Sequence, residues 1–136
     1  MTLWLADTSV AVPLIQSAHA AHQRVRTLVG NRRVDLPVHA AAETYSVLTR
    51  LTGDARLRPA DARDLLAARF PRRAALNEAT QQRFIDELAT AEVAGGAVYD
   101  AVIAVTAREN RATLLTRDAR AAGTYRALGA EYELVV

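Results

Sequence analysis

Leu3-Trp4-Leu5-Ala6-Asp7-Thr8-Ser9-Val10-Ala11-Val12 decides how this chain is read. A short apolar run reads as a buried strand. It stops at an acid, and the Thr and Ser before Val10 form an N-cap pattern for a helix. The same grammar recurs in Thr113-Leu114-Leu115-Thr116-Arg117-Asp118-Ala119. A strand, an aspartate and a helix start therefore occur twice, at opposite ends of the chain. If both strands join one parallel sheet, Asp7 and Asp118 leave it at the same edge.

Working outward, Pro13 sits early in the first helix, where a missing N–H removes at most one or two backbone bonds. His19 to Val29 reads as a second helix, ended by Gly30-Asn31, and Val34 to Val38 as a second strand. Ala40 to Leu51 is helical, with Ala41, Tyr45 and Leu48 on one stripe, and places Glu43 in its first turn. Arg58-Pro59 opens another helix, which stops at Pro71. Ala74 to Leu76 is a short strand and Thr80 to Glu92 a helix. After Gly95-Gly96, Tyr99 to Arg108 is a helix apolar almost all round, hence central, with Asp100 at its start. Ala119 to Leu128 is the last helix, and Tyr132 to Val135 the last strand. Strands alternating with helices give an α/β class with a mostly parallel sheet, covered on both faces. Ligands of such sheets bind beyond the carboxyl ends of the strands.

Composition narrows the chemistry. The chain has 136 residues, enough for one domain, residues 1–136. It has no Cys, and all 17 basic residues are Arg, so thiol nucleophiles, Cys-ligated zinc, the P-loop lysine and Schiff-base lysines are excluded together. No apolar run is long enough to span a bilayer, and an Asp at position 7 breaks any signal-peptide core. The expectation is a soluble, cytoplasmic protein. His19 and His22 stand three apart with no third ligand nearby, and read as an exposed helix face. His39 reads as a boundary residue. Ser17 and Ser46 lack a recognisable His–Asp constellation, and no GxGxxG is present.

The acids carry the argument. Asp7, Glu43, Asp100 and Asp118 each lie among apolar residues, where a lone carboxylate is costly. Taken singly, Asp7 and Asp118 are also explained as helix N-caps, and Glu43 as an exposed or Arg50-paired helix residue. Taken together, carboxylates converging on one edge repel, and a divalent cation reverses the penalty. Oxygen donors without Cys point to Mg²⁺ or Mn²⁺.

Leu5-Ala6-Asp7-Thr8-Ser9, Ala42-Glu43-Thr44, Gly96-Ala97-Val98-Tyr99-Asp100-Ala101 and Leu114-Leu115-Thr116-Arg117-Asp118, with the closing Thr124-Tyr125-Arg126, occur here in a fixed order. In order and spacing the chain resembles the PIN-domain nucleases, above all the VapC-type ribonuclease toxins of bacterial toxin–antitoxin pairs. The resemblance runs over essentially the whole chain. It implies a three-layer α/β/α sandwich and a Mg²⁺- or Mn²⁺-dependent endoribonuclease that hydrolyses RNA with a metal-activated water. By motif position it makes Asp7, Glu43, Asp100 and Asp118 the metal-binding acids, and Thr116 the threonine of a Thr-x-Asp element. Thr8 and Ser9 are candidate supporting hydroxyls. It also implies a homodimer and a small antitoxin that docks near the site. One departure stands out: Arg120 occupies a position where some members carry a further acid, which bears on a second metal.

Setting the four acids aside leaves 11 carboxylates against 17 arginines, a surplus of six that attracts RNA in a salt-dependent way. Arg117 and Arg120 flank Asp118 and are candidate phosphate contacts; the alternative is a pair of solvated helix-start arginines. Two other functions stay open at this point: a non-catalytic RNA-binding or scaffolding module, and a housekeeping RNA-processing nuclease. A receiver-like signalling domain needs a lysine that the chain lacks.

Overall fold

The computed structural model describes residues 2–136. Five strands form its centre: β1 (Leu3–Ala6), β2 (Val34–Pro37), β3 (Arg73–Ala74), β4 (Ala112–Thr116) and β5 (Glu131–Leu134). Their order across the sheet is β3-β2-β1-β4-β5, and every pairing is parallel. The helices are α1 (Thr8–Ile15), α2 (His22–Val29), α3 (Val38–Thr49), α4 (Pro59–Arg69), α5 (Glu78–Thr90), α6 (Ala97–Glu109) and α7 (Ala119–Ala127), with a 3₁₀ turn at Gly53–Ala55.

Strand periodicity divides the core. Leu5 and Leu114, paired in register, join α6, α7 and Leu88 of α5 in one buried cluster. The next pair, Ala6 and Leu115, faces the other way and joins α1, α2 and α4. Successive side chains of a strand point to opposite faces, so an apolar run of this kind is buried on both. The result is three layers. Helix α3 touches both cores, with Ala40 in one and Ala41 and Leu48 in the other.

The sheet also contains a switch. From β1 the chain winds outward through β2 and β3, then returns to place β4 on β1's other side. A crevice opens beyond the carboxyl ends of strands where the winding direction reverses. Here those strands are β1 and β4, which deliver Asp7 and Asp118. The Asp7 N–H donates to the Leu115 carbonyl at 3.1 Å, so the two strand ends are joined up to the rim.

Several element bounds differ from the sequence reading. Helix α2 starts at His22, because His19 Nδ1 accepts the Ala21 N–H at 3.0 Å in a turn before it. Strand β2 ends at Pro37, and α3 begins at Val38, two residues early: Pro37, at φ −57°, has no N–H to lose at a helix start, and Val38 is half exposed. Glu43 consequently lies in the second turn of α3. Strand β3 is Arg73–Ala74, α5 runs two residues ahead of its expected place, and α6 begins at Ala97. From Ala101 to Ala107 α6 is buried on nearly every side, as its apolar sequence predicts, while Tyr99 in its first turn is 60% exposed.

Candidate active site

Asp7 is 5% exposed and tied at both oxygens. Its Oδ1 accepts from the Ser9 N–H at 3.0 Å and from the Ser9 hydroxyl at 2.5 Å. Its Oδ2 accepts from the Tyr125 hydroxyl at 2.7 Å. The first pair makes Asp7 the N-cap of α1, the residue that the sequence reading gave as the acid before the helix. The last bond spans 118 positions and comes from a fully buried ring on α7.

Asp118 is built by the same rule. It caps α7, its Oδ1 accepting from the Arg120 N–H at 2.9 Å and the Ala121 N–H at 3.4 Å. Its own N–H donates to the Thr116 hydroxyl at 3.1 Å. Thr116 is fully buried, and its Oγ1 lies 3.4 Å from Ser9 Oγ. Ser9 Oγ in turn accepts the Arg117 N–H at 2.8 Å. Ser9 and Thr116 thus lace the loop after β1 to the loop after β4.

Glu43 reaches the same rim from α3. Its Oε1 accepts from the Thr8 hydroxyl at 3.3 Å and lies 3.5 Å from His39 Nε2. The His39 ring stacks on Tyr99, with centroids 5.9 Å apart and planes 7° apart. Tyr99 precedes Asp100, so this contact sets α3 against the start of α6. His39, read from sequence as a boundary residue, therefore belongs to the rim. Arg50, the alternative partner for Glu43, instead donates to the Ser46 hydroxyl at 3.3 Å.

Asp100 is linked to the other three acids electrostatically. Burial pushes its carboxyl above the ordinary value of 3.8, and the charges of Asp118, Asp7 and Glu43 push it further. Arg120 pulls it back. Of the two arginine candidates, Arg120 thus projects its field onto the acids, whereas the contact of Arg117 is through its backbone N–H. Tyr125, buried beside Asp7, is held far above the ordinary phenol range by burial first and the Asp7 carboxylate second. Its hydroxyl is the donor in the bond to Asp7.

The sequence reading assigned Tyr125 no role. Its one signal there was membership of the closing motif, since a contact across 118 positions leaves no local pattern. His19 and His22 do not form a ligand pair: His22 Nδ1 lies 2.7 Å from the Pro13 carbonyl, and His19 closes its own turn.

The donor set suits a hard divalent cation. It consists of carboxylate and hydroxyl oxygens, and the elevation of Asp100 marks negative charge that Arg120 offsets only in part. Among the described residues no three His, Asp or Glu side chains are drawn together closely enough to grip an ion as they stand.

Comparison with known proteins shows the family and the fold. A family model described as PIN domain matches residues 5–127. Ribonuclease VapC27 of Mycobacterium tuberculosis is 50% identical over 123 residues, covering 90% of each chain. Among solved structures, FitAcB from Neisseria gonorrhoeae aligns with a TM-score of 0.73 at 20% identity, over 96% of each chain. Mycobacterium tuberculosis VapC20, described as a Sarcin-Ricin loop cleaving toxin, aligns with a TM-score of 0.67 at 18% identity, over 88% of this chain and 93% of its own.

Proposed function

The chain belongs to the PIN-domain family, and from that premise we propose that it is a metal-dependent endoribonuclease, a single-domain toxin restrained by a cognate antitoxin. The observation that supports the reading is that Asp7 and Asp118 leave the paired strands β1 and β4 at one rim, that Glu43 reaches this rim through Thr8, and that the charges of all three add to burial in raising the Asp100 carboxyl. A relative half identical over nine-tenths of the chain and named a ribonuclease supports the substrate class.

In this reading Asp7, Glu43, Asp100 and Asp118 hold Mg²⁺ or Mn²⁺. When bound, the ion supplies an acidified water and neutralises charge on the phosphoryl oxygens. The protein's own contribution is placement. Ser9 and Tyr125 fix the two oxygens of Asp7, so its rotamer is set before substrate arrives. Thr8 steadies Glu43, and Thr116 holds the backbone that presents Asp118. The N-termini of α1 and α7 point toward this edge and favour the phosphate. Arg120, whose charge acts on Asp100, would meet a phosphate oxygen at this edge. No side chain serves as nucleophile, so water attack is expected to leave 5′-phosphate and 3′-hydroxyl ends. Assembly as a homodimer and action in the cytoplasm complete the proposal; no helix among the described residues is long and apolar enough to cross a membrane.

The test is cleavage of a labelled RNA with Mg²⁺ or Mn²⁺ and with chelator, beside Asp7→Asn and Asp100→Asn. The expected result is cleavage by the wild type only with metal, and a loss of at least about 10²–10³-fold in each folded variant. Undiminished cleavage in chelator, or by both variants, rules the reading out. Toxicity on expression, relieved by co-expressing the adjacent gene's product, tests the toxin role.

A further inference from the structure

The opposite edge of the sheet holds a cleft of about 860 Å³ that the cleavage site does not use. It lies where α2 ends, β2 begins and α4 ends. Its walls include Arg26, Arg32, Arg33 and Arg69, and Asp35 is the acid in its lining. All strands are parallel, and the four acids sit beyond carboxyl ends while this cleft sits at the amino end of β2. A strand length, about 13 Å, and the loops at both ends separate the two places.

The arginines are not equivalent. Arg32 is committed to the fold: it pairs with Glu133, donates to the Val29 and Leu28 carbonyls at 3.0 and 2.7 Å, and lies 4.6 Å over the Trp4 ring. It thereby closes the carboxyl end of α2. Arg26, Arg33 and Arg69 are exposed, and among the described residues none makes an ion pair. Helix dipoles do not use up this charge. The ends of α2 and α4 supply about half a negative charge each, and Asp35 one more. Against the three guanidiniums that are not already paired, that leaves a surplus of about one positive charge in one concavity.

We infer that this cleft is a second anchoring site for RNA, binding backbone phosphates of nucleotides remote from the bond that is cut. The inference rests on the nuclease reading for its choice of polyanion. The four acids bring negative charge to the cleavage site, so positive surface elsewhere adds to the attraction for RNA. Guanidiniums match phosphate in a two-pronged geometry. The volume is that of a site for a nucleotide-sized group. A folded RNA contacting both edges uses the remote contacts to hold its scissile strand at the acids.

The experiment is binding, in chelator, of a labelled RNA stem-loop of about 30 nucleotides across a salt series. It compares wild type with Arg26→Ala/Arg33→Ala/Arg69→Ala and with a charge-matched control, Arg63→Ala/Arg83→Ala/Arg111→Ala. The cleft variant is expected to lose roughly tenfold or more in affinity, with the slope against log salt smaller by about 2–3. The control should change less than about threefold, and both should cleave a tetranucleotide like the wild type. Inorganic tripolyphosphate separates the sources of phosphate. Tripolyphosphate that binds the wild type but not the cleft variant, while leaving the affinity for RNA unchanged, assigns the site to small phosphates instead of an RNA backbone and overturns the inference. So does equal RNA binding by cleft and control variants, or capture of a polyglutamate peptide in preference to RNA. A wild type that binds RNA through the cleft yet cuts none defeats the nuclease reading alone. One that cuts RNA while the cleft variant binds like the control defeats this inference alone.

Discussion

The Tyr125 hydroxyl donates to Asp7 Oδ2 at 2.7 Å from inside the core, while Ser9 holds Oδ1 from the solvent side. Asp7 is thus a carboxylate with both oxygens fixed, one by each of the layers that flank the sheet. Tyr125→Phe removes the inner bond and nothing else. It should cost about 1 kcal/mol of stability, read by urea denaturation. Mn²⁺ affinity, read by calorimetry, should fall by about 10–100-fold, as for other groups that orient a ligand. Loss of stability with unchanged Mn²⁺ affinity would make Tyr125 a packing residue only.

Ser9 and Thr8 are adjacent hydroxyls with separable effects. Ser9 Oγ bonds Asp7, accepts the Arg117 N–H and faces Thr116. Ser9→Ala leaves that N–H without its partner and should destabilise by about 1–3 kcal/mol. Thr8→Ala loses one 3.3 Å bond to Glu43. It should cost less than about 1 kcal/mol, with a drop in cleavage rate as its main effect. Paired denaturation and rate measurements check the contrast; a larger stability loss for Thr8→Ala would contradict it.

Asp100 sets site chemistry against stability. Folding raises its affinity for a proton above the ordinary 3.8. Below that pH the carboxyl is protonated in both states, and this stabilising effect is complete. It drains away as pH climbs through the raised value, where the folded state must hold the charge beside Asp118, Asp7 and Glu43. In chelator, Asp100→Asn should therefore melt with the wild type below about pH 4 and on the order of 1–3 °C above it at pH 7, the side chain being too exposed for a larger effect. A melting difference that stays flat with pH would place the cost elsewhere.

The placement of Asp7 and Asp118 at one rim is legible because both obey one local grammar, in which an apolar strand ends at an acid that caps a helix. Parallel pairing of β1 with β4 then leaves no freedom about where they meet. The start of α3 was misread because Val38 is apolar and β-branched, so propensity extended the strand; Pro37 overrules it by opening the helix, and Val38 turns outward. Tyr125 was invisible for a different reason. Its contact partner lies 118 positions away, and helical periodicity gives only the face on which the ring is buried. His39 likewise gains its place at the rim from two elements, Glu43 along its own helix and Tyr99 on α6.

Capping and metal holding, the two explanations open for Asp118, are separable by one pair of variants. Asp118 Oδ1 accepts from the Arg120 and Ala121 N–H groups. Asn presents an oxygen in the same place and ranks with Asp as an N-cap. Asp118→Asn should then keep stability to within about 0.5 kcal/mol, whereas Asp118→Ala should lose about 1 kcal/mol. If the carboxylate serves only as a cap, cleavage should follow stability, and the Asn variant should cut RNA like the wild type. If it holds metal, both variants should lose cleavage alike, on the order of 10²-fold or more, although only one has lost the cap. The ordering of the two variants in denaturation, set beside their ordering in rate, decides between the roles without a bound ion having to be seen.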